Sequence, residues 1–224
     1  MKRATLDDVL HAADTKTPSV LATNLESGEQ HLFAAGQGRT DEERVFVKRV
    51  LRRGAPTTTG SPDSPRWFYE PLQPPKRLIL VGAVHIARSL SMMAKLTGQE
   101  VTIVDPRVAF ATAERFPDVA LILAWPAEAL HSLDLDAQCA VVTLSHNSKL
   151  DDEALEVALK SSAFYIGCLG SRRTHAVRLA RLRERGFSEA ELGRLHGPVG
   201  LPIGSRSPGE IAVSILAHIT QVQR

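Results

Sequence analysis

Two glycine turns, each followed by polar side chains, are the parts of this sequence best suited to chemistry. In residues 163–175, AFYIGCLGSRRTH, an apolar run passes through a glycine turn into a basic helical segment. A strand leading into a helix N-terminus directs backbone N–H groups and the positive end of the helix dipole at one spot, which suits an anion such as phosphate. Arginines add forked donors for phosphate or carboxylate oxygens. We expect anion contacts from Gly167, Gly170, Ser171, Arg172 and Arg173, the alternative being an ordinary turn with solvated arginines. Further along, we expect a solvated helix face, or else a docking face, from the arginines at positions 178, 181, 183 and 185.

The second turn lies in residues 78–87, LILVGAVHIA, which have the pattern of a strand, a tight turn and a helix start. A dinucleotide-binding fingerprint would place glycines at positions 82, 84 and 87, where this chain has Gly82, Val84 and Ala87. Alanine is accepted at the third position, whereas valine at the second hinders approach of a pyrophosphate. We expect Gly82, Ala83 and the following helix start to hold phosphate. His85 is a candidate catalytic residue or a packing and capping residue.

Asp105 ends a further apolar run, about where a Rossmann fold presents an acid to a ribose hydroxyl. Arg107 follows two residues later and either pairs with Asp105 or receives a phosphate. A helix cap is the alternative for the aspartate, because aspartates at strand ends often cap helices. Gly82 and Asp105 together favour nucleotide-like binding.

A fourth apolar run ends in Ser145, His146 and Asn147, with Asp151 and Asp152 soon after. At the carboxyl end of a strand, these side chains lie where open α/β sheets bind ligands, and they suit a general base or a metal-ligand set. The alternative is a polar loop whose aspartates cap the next helix. We take His146 as a second catalytic candidate and Ser145 as a binding residue, and we expect no resident metal.

The composition argues against nucleic-acid and membrane partners. Lys and Arg number 27 against 25 Asp and Glu in 224 residues, and the charges are spread along the chain. Cys139 and Cys168 lie in apolar runs, which predicts small buried side chains in a reducing compartment. The N-terminus lacks the apolar core of a signal peptide, and no apolar run approaches the roughly 18 residues needed to span a bilayer. We therefore expect a cytoplasmic protein without a membrane span.

The pattern of elements changes near residue 75. Residues 1–70 predict a small α+β region with strands at 19–25, 31–35 and 67–69 and a helix at 41–53, and residues 71–75 have the composition of a linker. In residues 76–224 short apolar runs alternate with helical segments, which predicts a Rossmann-like α/β domain with a parallel sheet covered on both faces. The predicted strands are 77–81, 100–104, 119–123, 139–144 and 164–166. The predicted helices are 84–96, 151–159, 174–182 and one that follows the capping box of Ser207 and Glu210.

Five stretches, read together and in this order, resemble the xanthine dehydrogenase accessory protein family (XdhC/CoxI). They cover nearly all of residues 76–222, and their joint specificity is high. The stretches are LILVGAVHIA, VTIVDPRVAFATAERFPD, SHNSKLDDEAL, AFYIGCLGSRRTHAVRLARL and GPVGLPIGSRSPGEIAVSILAHI.

The resemblance implies a maturation factor for molybdenum hydroxylases such as xanthine and carbon monoxide dehydrogenases. Family members bind the molybdenum cofactor, as molybdopterin or its dinucleotide form, protect it while a terminal oxo ligand is exchanged for sulfur, and help insert it into the apoenzyme. The implied protein is a cofactor chaperone more than a turnover enzyme. In it, Asp105 and Arg107 contact a ribose or pterin edge, and His85 and His146 face the reactive end of the cofactor. The implied partners are the apoenzyme and a cysteine desulfurase. A homodimer with a second copy of this chain is a further expectation.

The chain departs from the family pattern at three places. Residues 1–70 contain no cysteine and no Ser-Gly-Gly-Cys motif, so a separate protein carrying that N-terminal domain is a further expected partner. Ser145, His146 and Asn147 stand where the family commonly has Thr-His-Asp, and Val84 replaces the middle glycine. Two other functions stay open: an NAD(P)-dependent oxidoreductase, for which the fold class is common, and a nucleotide-binding regulatory module.

Overall fold

The computed structural model describes residues 3–60, 66–145 and 147–223. The chain divides into two compact units, one ending at Pro74 and the other running from Pro75 to Gln223. His146, one of the two predicted catalytic residues, lies outside the described residues.

The N-terminal unit is an antiparallel sheet with two helices. Strand β1 pairs with β2 and with β4, and β4 pairs with β3, giving the order β2-β1-β4-β3. Side chains from both central strands and one helix form its apolar core, among them Val20, Val47 and Tyr69. The elements are α1 (Arg3–Asp14), β1 (Ser19–Asn24), β2 (Gln30–Ala34), α2 (Asp41–Arg53), β3 (Thr57–Thr59) and β4 (Trp67–Leu72).

Helix α2 has the predicted bounds because both ends carry strong signals. Thr40 caps its start by accepting a hydrogen bond from the Glu43 N–H, and Gly54 ends it in the left-handed conformation with φ of 61°. Strand β4 continues into the predicted linker, past Pro71. Because β3 pairs only with residues 67–69, this proline lies where β4 is paired on one side only, and there a missing N–H is tolerated.

The C-terminal unit is a six-stranded sheet in the order β10-β9-β8-β5-β6-β7, in which every pairing is parallel. The predicted Rossmann-like fold class is therefore confirmed. The strands are β5 (Arg77–Val81), β6 (Glu100–Val104), β7 (Ala120–Ile122), β8 (Cys139–Thr143), β9 (Tyr165–Cys168) and β10 (Leu195–His196). The helices are α3 (His85–Leu96), α4 (Pro126–Ser132), α5 (Ser148–Lys160), α6 (Arg172–Glu184), α7 (Glu189–Leu192) and α8 (Pro208–Gln223).

Helices cover both faces of this sheet, which explains the continuous apolar runs of its strands. Alternate residues of β5 enter different cores: Leu78 and Leu80 join a cluster with α3 and α8, whereas Ile79 and Val81 join one with α4, α5 and α6. A strand buried in this way has no polar face, so its period-2 alternation is hidden in the sequence.

Two helices begin earlier than predicted, at their true caps. Asn147 caps α5 by accepting a hydrogen bond from the Lys149 N–H at 3.0 Å. The alternative in which the aspartates cap this helix is therefore wrong: Asp151 and Asp152 lie within α5 and are only 2% exposed. Ser171 caps α6, ahead of the predicted start of the helix at Thr174.

Candidate functional site

The connections from β5 and β8 leave the sheet in opposite directions, and a Rossmann fold places ligands at this switch point, outside the carboxyl ends of the strands. The chain follows β5 with Gly82, whose φ is 111°. A Cβ on Gly82 would lie 3.0 Å from the backbone nitrogen of Ser145, after β8. The glycine thus lets the ends of β5 and β8 approach each other closely.

Asp105 ties this first turn together. Its buried carboxylate accepts hydrogen bonds from the Ala83 N–H at 2.8 Å, from the Arg107 N–H at 2.9 Å and from two guanidinium nitrogens of Arg107 at 2.9 and 2.7 Å. Burial alone would raise the pKa of Asp105, but these hydrogen bonds outweigh it and hold the pKa below its ordinary value. Both carboxylate oxygens and the Ala83 N–H are therefore engaged within the protein, and their predicted contacts with a ribose, pterin or phosphate stay predictions.

Helix α3 begins without a side-chain cap. Its N-cap residue is Val84, in extended conformation, and the first helical residue is the exposed His85. The first N–H groups of a helix have no intrahelical partner, so this uncapped end suits an anion. Val84 is half-buried at the position where a dinucleotide fingerprint has its second glycine.

The second turn, between β9 and α6, has the expected strand-turn-helix form. Gly170 has φ of 142°, and a Cβ there would lie 3.1 Å from the Thr174 side chain. Ser171 accepts a hydrogen bond from the Thr174 N–H at 3.1 Å. This cap leaves the N–H groups of Arg172 and Arg173, both exposed residues, without an intrahelical partner.

Gly167 has a packing role in the structure. It is buried within β9, where a Cβ would lie 2.6 Å from Val199 and 2.8 Å from Tyr165. It does not line the cavity that lies beside the second turn. Its predicted contact with an anion therefore finds no support in this geometry.

A cavity of about 550 Å³ lies beside the second turn. This volume falls in the range of about 300–1,000 Å³ that is typical of small-molecule sites. The cavity is lined from the end of β8, from α5 and from the start of α6, and its polar lining includes Ser145, Asp151, Gly170, Ser171, Arg173 and Arg178.

Arg178 is the least expected of these lining residues, because the sequence predicts a solvated arginine. The residue is only 3% exposed. Its Nη2 donates a hydrogen bond to the Leu169 carbonyl at 3.0 Å and lies 3.6 Å from Oδ2 of Asp151. Its Nε and Nη1 are buried without a hydrogen-bond partner.

Asp151 faces Arg178 from α5. Its Oδ1 accepts a hydrogen bond from the Ser145 hydroxyl at 2.7 Å, and that hydroxyl accepts one from the Asn147 N–H at 3.2 Å. Burial, the largest effect, raises the pKa of Asp151 to about 6, although Ser145 and Arg178 act to lower it. The pair thus combines a buried carboxyl group whose pKa is raised with an incompletely hydrogen-bonded guanidinium.

The neighbouring pair on the same two helices is closed. Asp152 accepts hydrogen bonds from Nε and Nη2 of Arg181 at 2.7 and 2.9 Å. Further along the chain, Arg183 pairs with Glu189 and Arg185 pairs with Glu156. Arg178 differs from these three arginines in its burial and in its unused donors.

The two cysteines are buried, as predicted. Burial is the main cause that raises the pKa of Cys139 to about 11 and that of Cys168 to about 12. Both thiols stay protonated near neutral pH, so neither is primed as a nucleophile. Within the described ranges, no cluster of three His, Cys, Asp or Glu side chains is arranged to hold a metal ion, and none of the described helices is long and apolar enough to cross a bilayer.

Sequence reasoning named Asp151 among the polar side chains after β8 but missed Arg178 as part of the site. One signal was available: Arg178 lies four residues before the buried Leu182, which places both on the same face of a helix. The pairing of Arg178 with Asp151, which lies on a different helix, depends on tertiary contacts that the local pattern does not contain.

Comparison with known proteins agrees with the fold and the motifs. The family model of the XdhC Rossmann domain matches residues 78–219. The chain is 34% identical over 185 residues to the uncharacterized protein YqeB of Escherichia coli K12, covering 80% of this chain and 34% of that protein. It is 34% identical over 158 residues to a probable xanthine dehydrogenase subunit of Bacillus subtilis 168, covering 70% and 46%. It is 30% identical over 168 residues to the molybdenum cofactor insertion chaperone PaoD of Escherichia coli K12, covering 75% and 46%.

A solved structure shows the same fold. The crystal structure of a xanthine dehydrogenase from Bacillus halodurans matches with a TM-score of 0.71 and 24% identity, covering 98% of this chain and 64% of that one. The chain spans about a third to a half of the length of the curated relatives named above. The resemblance found in the sequence is confirmed: this chain belongs to the XdhC Rossmann domain family.

Proposed function

We propose that this chain is a maturation factor for a molybdenum hydroxylase of the xanthine or carbon monoxide dehydrogenase type. It binds the molybdenum cofactor as cargo at the carboxyl edge of β8 and β9 and assists its sulfuration and its insertion into the apoenzyme. Family membership supports this proposal. It is also supported by two relatives, of which one is named for xanthine dehydrogenase and the other as a molybdenum cofactor insertion chaperone.

The observation that carries the proposal is the cavity beside the second turn. It combines a buried guanidinium that has unused donors with a helix N-terminus and with the hydroxyl of Ser171. These groups fit an oxyanion, and molybdopterin ends in a phosphate. The donors present therefore suit the phosphate end of the proposed cargo. The cargo as a whole brings the molybdenum that the acceptor enzyme needs.

Each part of the edge has a proposed role in holding this cargo. Gly170, Ser171, Arg172 and Arg173 hold the phosphate, with the glycine keeping the turn close to the first turn of α6. The uncapped start of α3, after Gly82 and Ala83, offers a second anion end for a dinucleotide form. We further propose that Arg107 and Asp105 face the ribose or pterin edge, and that His85 and His146 face the reactive end.

Sulfur transfer in this proposal depends on a partner. Residues 1–70 have no cysteine, and both cysteines of the chain are buried with raised pKa values. A thiolate is the nucleophile in sulfur chemistry, so neither thiol suits a sulfur carrier. We propose that sulfur reaches the cofactor from a cysteine desulfurase or from a separate protein carrying the family's N-terminal domain. Homodimer formation stays a prediction.

The direct test is to identify what the protein carries when it is purified from cells that make the cofactor. We expect mass spectrometry of released small molecules to find a pterin, and elemental analysis to find molybdenum. Arg172→Ala should lower both, whereas Arg183→Ala, which removes an arginine paired with Glu189 further along α6, should not. Bound NAD(P) without pterin would overturn the proposal in favour of the oxidoreductase alternative, and another nucleotide alone would favour a regulatory module.

A further inference from the structure

Arg178 is the part of the cavity that the fold does not explain. Buried polar groups are hydrogen-bonded almost without exception, and leaving a donor unpaired costs free energy. Arg178 is 3% exposed, yet two of its three guanidinium nitrogens have no partner. Arg181 shows that these same two helices can close an arginine-aspartate pair completely, with hydrogen bonds of 2.7 and 2.9 Å to Asp152.

The surroundings of Arg178 complete a set of donors for one oxyanion. The guanidinium lines the same cavity as Ser171 and Gly170 at the start of α6. There the N–H groups of Arg172 and Arg173 lack intrahelical partners. A guanidinium with unused N–H groups can donate to a phosphate oxygen, and a helix N-terminus suits another oxygen of the same anion.

Asp151 is the one acidic side chain that competes for this guanidinium inside the cavity lining. It lies 3.6 Å from Arg178, and the Ser145 hydroxyl holds its other oxygen at 2.7 Å. An anion that binds Arg178 also meets the Asp151 charge, and two like charges in a buried site repel each other. Protonation of Asp151 removes this repulsion and releases Arg178 to the anion.

We propose that this cavity is a phosphate-class oxyanion site in which Arg178 grips the anion and Asp151 takes up a solvent proton as the anion binds. The proposal deepens the proposed function, and it rests on that function only for the identity of the natural ligand. The burial that raises the pKa of Asp151 to about 6 puts this protonation within reach of neutral pH.

Other charged groups around Asp151 act in known directions. Arg178 and Arg181 on α6 favour the charged carboxylate, whereas the neighbouring Asp152 on α5 disfavours it. The Ser145 hydroxyl favours the carboxylate by donating to it. The Cys168 thiol on β9 is also close, but its raised pKa keeps it neutral. The bidentate contact with Arg181 offsets the charge of Asp152. Whether Arg178 contacts an anion is therefore the main influence on the protonation of Asp151.

Sulfate is the first probe, because this tetrahedral dianion keeps its charge across the pH range of interest. We expect calorimetry to show sulfate binding that weakens as the pH rises, approaching about tenfold per pH unit above about pH 7, as one-proton linkage requires. Asp151→Asn should flatten this dependence and bind more tightly than the unmodified protein at about pH 8. Inorganic phosphate and a small phosphate monoester then separate a free anion from an esterified one as the preferred ligand.

Variants of Arg178 test the grip on the anion. Arg178→Met should weaken binding by at least about tenfold, and Arg178→Lys by less, because lysine keeps the charge but loses the fork. Arg183→Met removes the same charge from the same helix at an exposed pair and should leave binding within about twofold. If Arg178→Met does not fold, Arg178→Lys and Asp151→Asn still decide the question.

The outcomes separate this inference from the proposed function. Equal sulfate affinity in Arg178→Met and Arg183→Met, an unchanged pH dependence in Asp151→Asn, or no sulfate binding at all would overturn the inference. Retention of pterin and molybdenum by the protein in any of these cases leaves the proposed function standing. Proton-linked anion binding by a protein that never carries pterin would overturn the proposed function and support the inference.

Discussion

Arg107 holds Asp105 through three hydrogen bonds of its own, one from its backbone and two from its guanidinium, while the Ala83 N–H supplies a fourth to the same carboxylate. This contact joins the ends of β5 and β6 at the edge where the candidate site lies. The buried aspartate therefore fixes the first glycine turn before any ligand is bound.

Asp105→Asn should destabilise the protein by about 2 kcal/mol at neutral pH, because hydrogen bonds to a charged group are lost and the Arg107 charge is left unpaired. Since the folded-state pKa of Asp105 is lowered, the stability it supplies is present above the unfolded pKa and is lost as the pH falls through the folded value. The difference between the two proteins in urea unfolding should thus shrink below about pH 4.

A matched control for this measurement is Glu114→Gln, which removes a carboxylate from an exposed position of the same unit. Its free energy of unfolding should stay within about 0.5 kcal/mol of the unmodified protein. If both variants lose the same stability, Asp105 does not fix the turn.

The second prediction concerns Gly82, where the need for glycine has two separate causes. Ala at this position meets an unfavourable positive φ of 111° and would also place its Cβ 3.0 Å from the Ser145 nitrogen. Gly98 has a φ of 77°, and no atom lies within 4 Å of the point where a Cβ would stand, so Gly98→Ala carries the backbone strain alone.

We expect Gly98→Ala to cost about 1 kcal/mol of stability and Gly82→Ala to cost about 1–3 kcal/mol more, measured by urea unfolding. The excess measures how tightly the ends of β5 and β8 are packed. Equal losses in the two variants would contradict the close approach of Gly82 to Ser145.

The sequence is most informative where burial is strongest. The bounds of β5 and β6 follow from their apolar runs because both faces of these central strands are covered. Short elements give little signal: β10 has two residues, and α4 has seven and begins with a proline. The apolar pattern places the start of α5 too late because its cap, Asn147, has the character of a polar loop residue.

The candidate site is predictable only in part. The pairing of Asp105 with Arg107, two residues along the chain, is one of the alternatives that the sequence offers. The sequence gives no sign of the hydrogen bond from the Ala83 N–H, which lies 22 residues away. The sequence predicts a solvated Arg178 because charged residues usually are exposed, whereas in the fold it is buried beside the Leu169 carbonyl and Asp151. Long-range contacts thus turn a predicted surface arginine into the most distinctive side chain of the cavity.

The third prediction tests the two cysteines. Cys139 and Cys168 are 0% exposed, and burial raises both pKa values by a wide margin. Neither thiol should react with an aromatic disulfide reagent in the folded protein near neutral pH, and both should react in concentrated urea. Rapid labelling of Cys168 in the folded protein would contradict this and would revive it as a sulfur carrier.

The last prediction concerns three histidines that the fold keeps neutral. Burial is the main cause that lowers the pKa values of His175, His196 and His218. His218 shares a hydrogen bond of 3.0 Å with the Tyr165 hydroxyl, and His196 stacks on the Tyr165 ring with 4.6 Å between the ring centres. Charging either imidazole would place a cation in this partly buried aromatic cluster.

Because these folded-state pKa values lie below the unfolded value, the histidines favour the folded state above about pH 6.5, and this contribution is lost as the pH falls. Asp151, whose pKa is raised to about 6, has the opposite effect, since it protonates more readily in the folded protein. Urea unfolding at several pH values should show stability falling below about pH 6.5, and His196→Gln should reduce this slope. Asp151→Asn should steepen it. An unchanged slope in His196→Gln would show that this histidine does not contribute to the acid sensitivity of the fold.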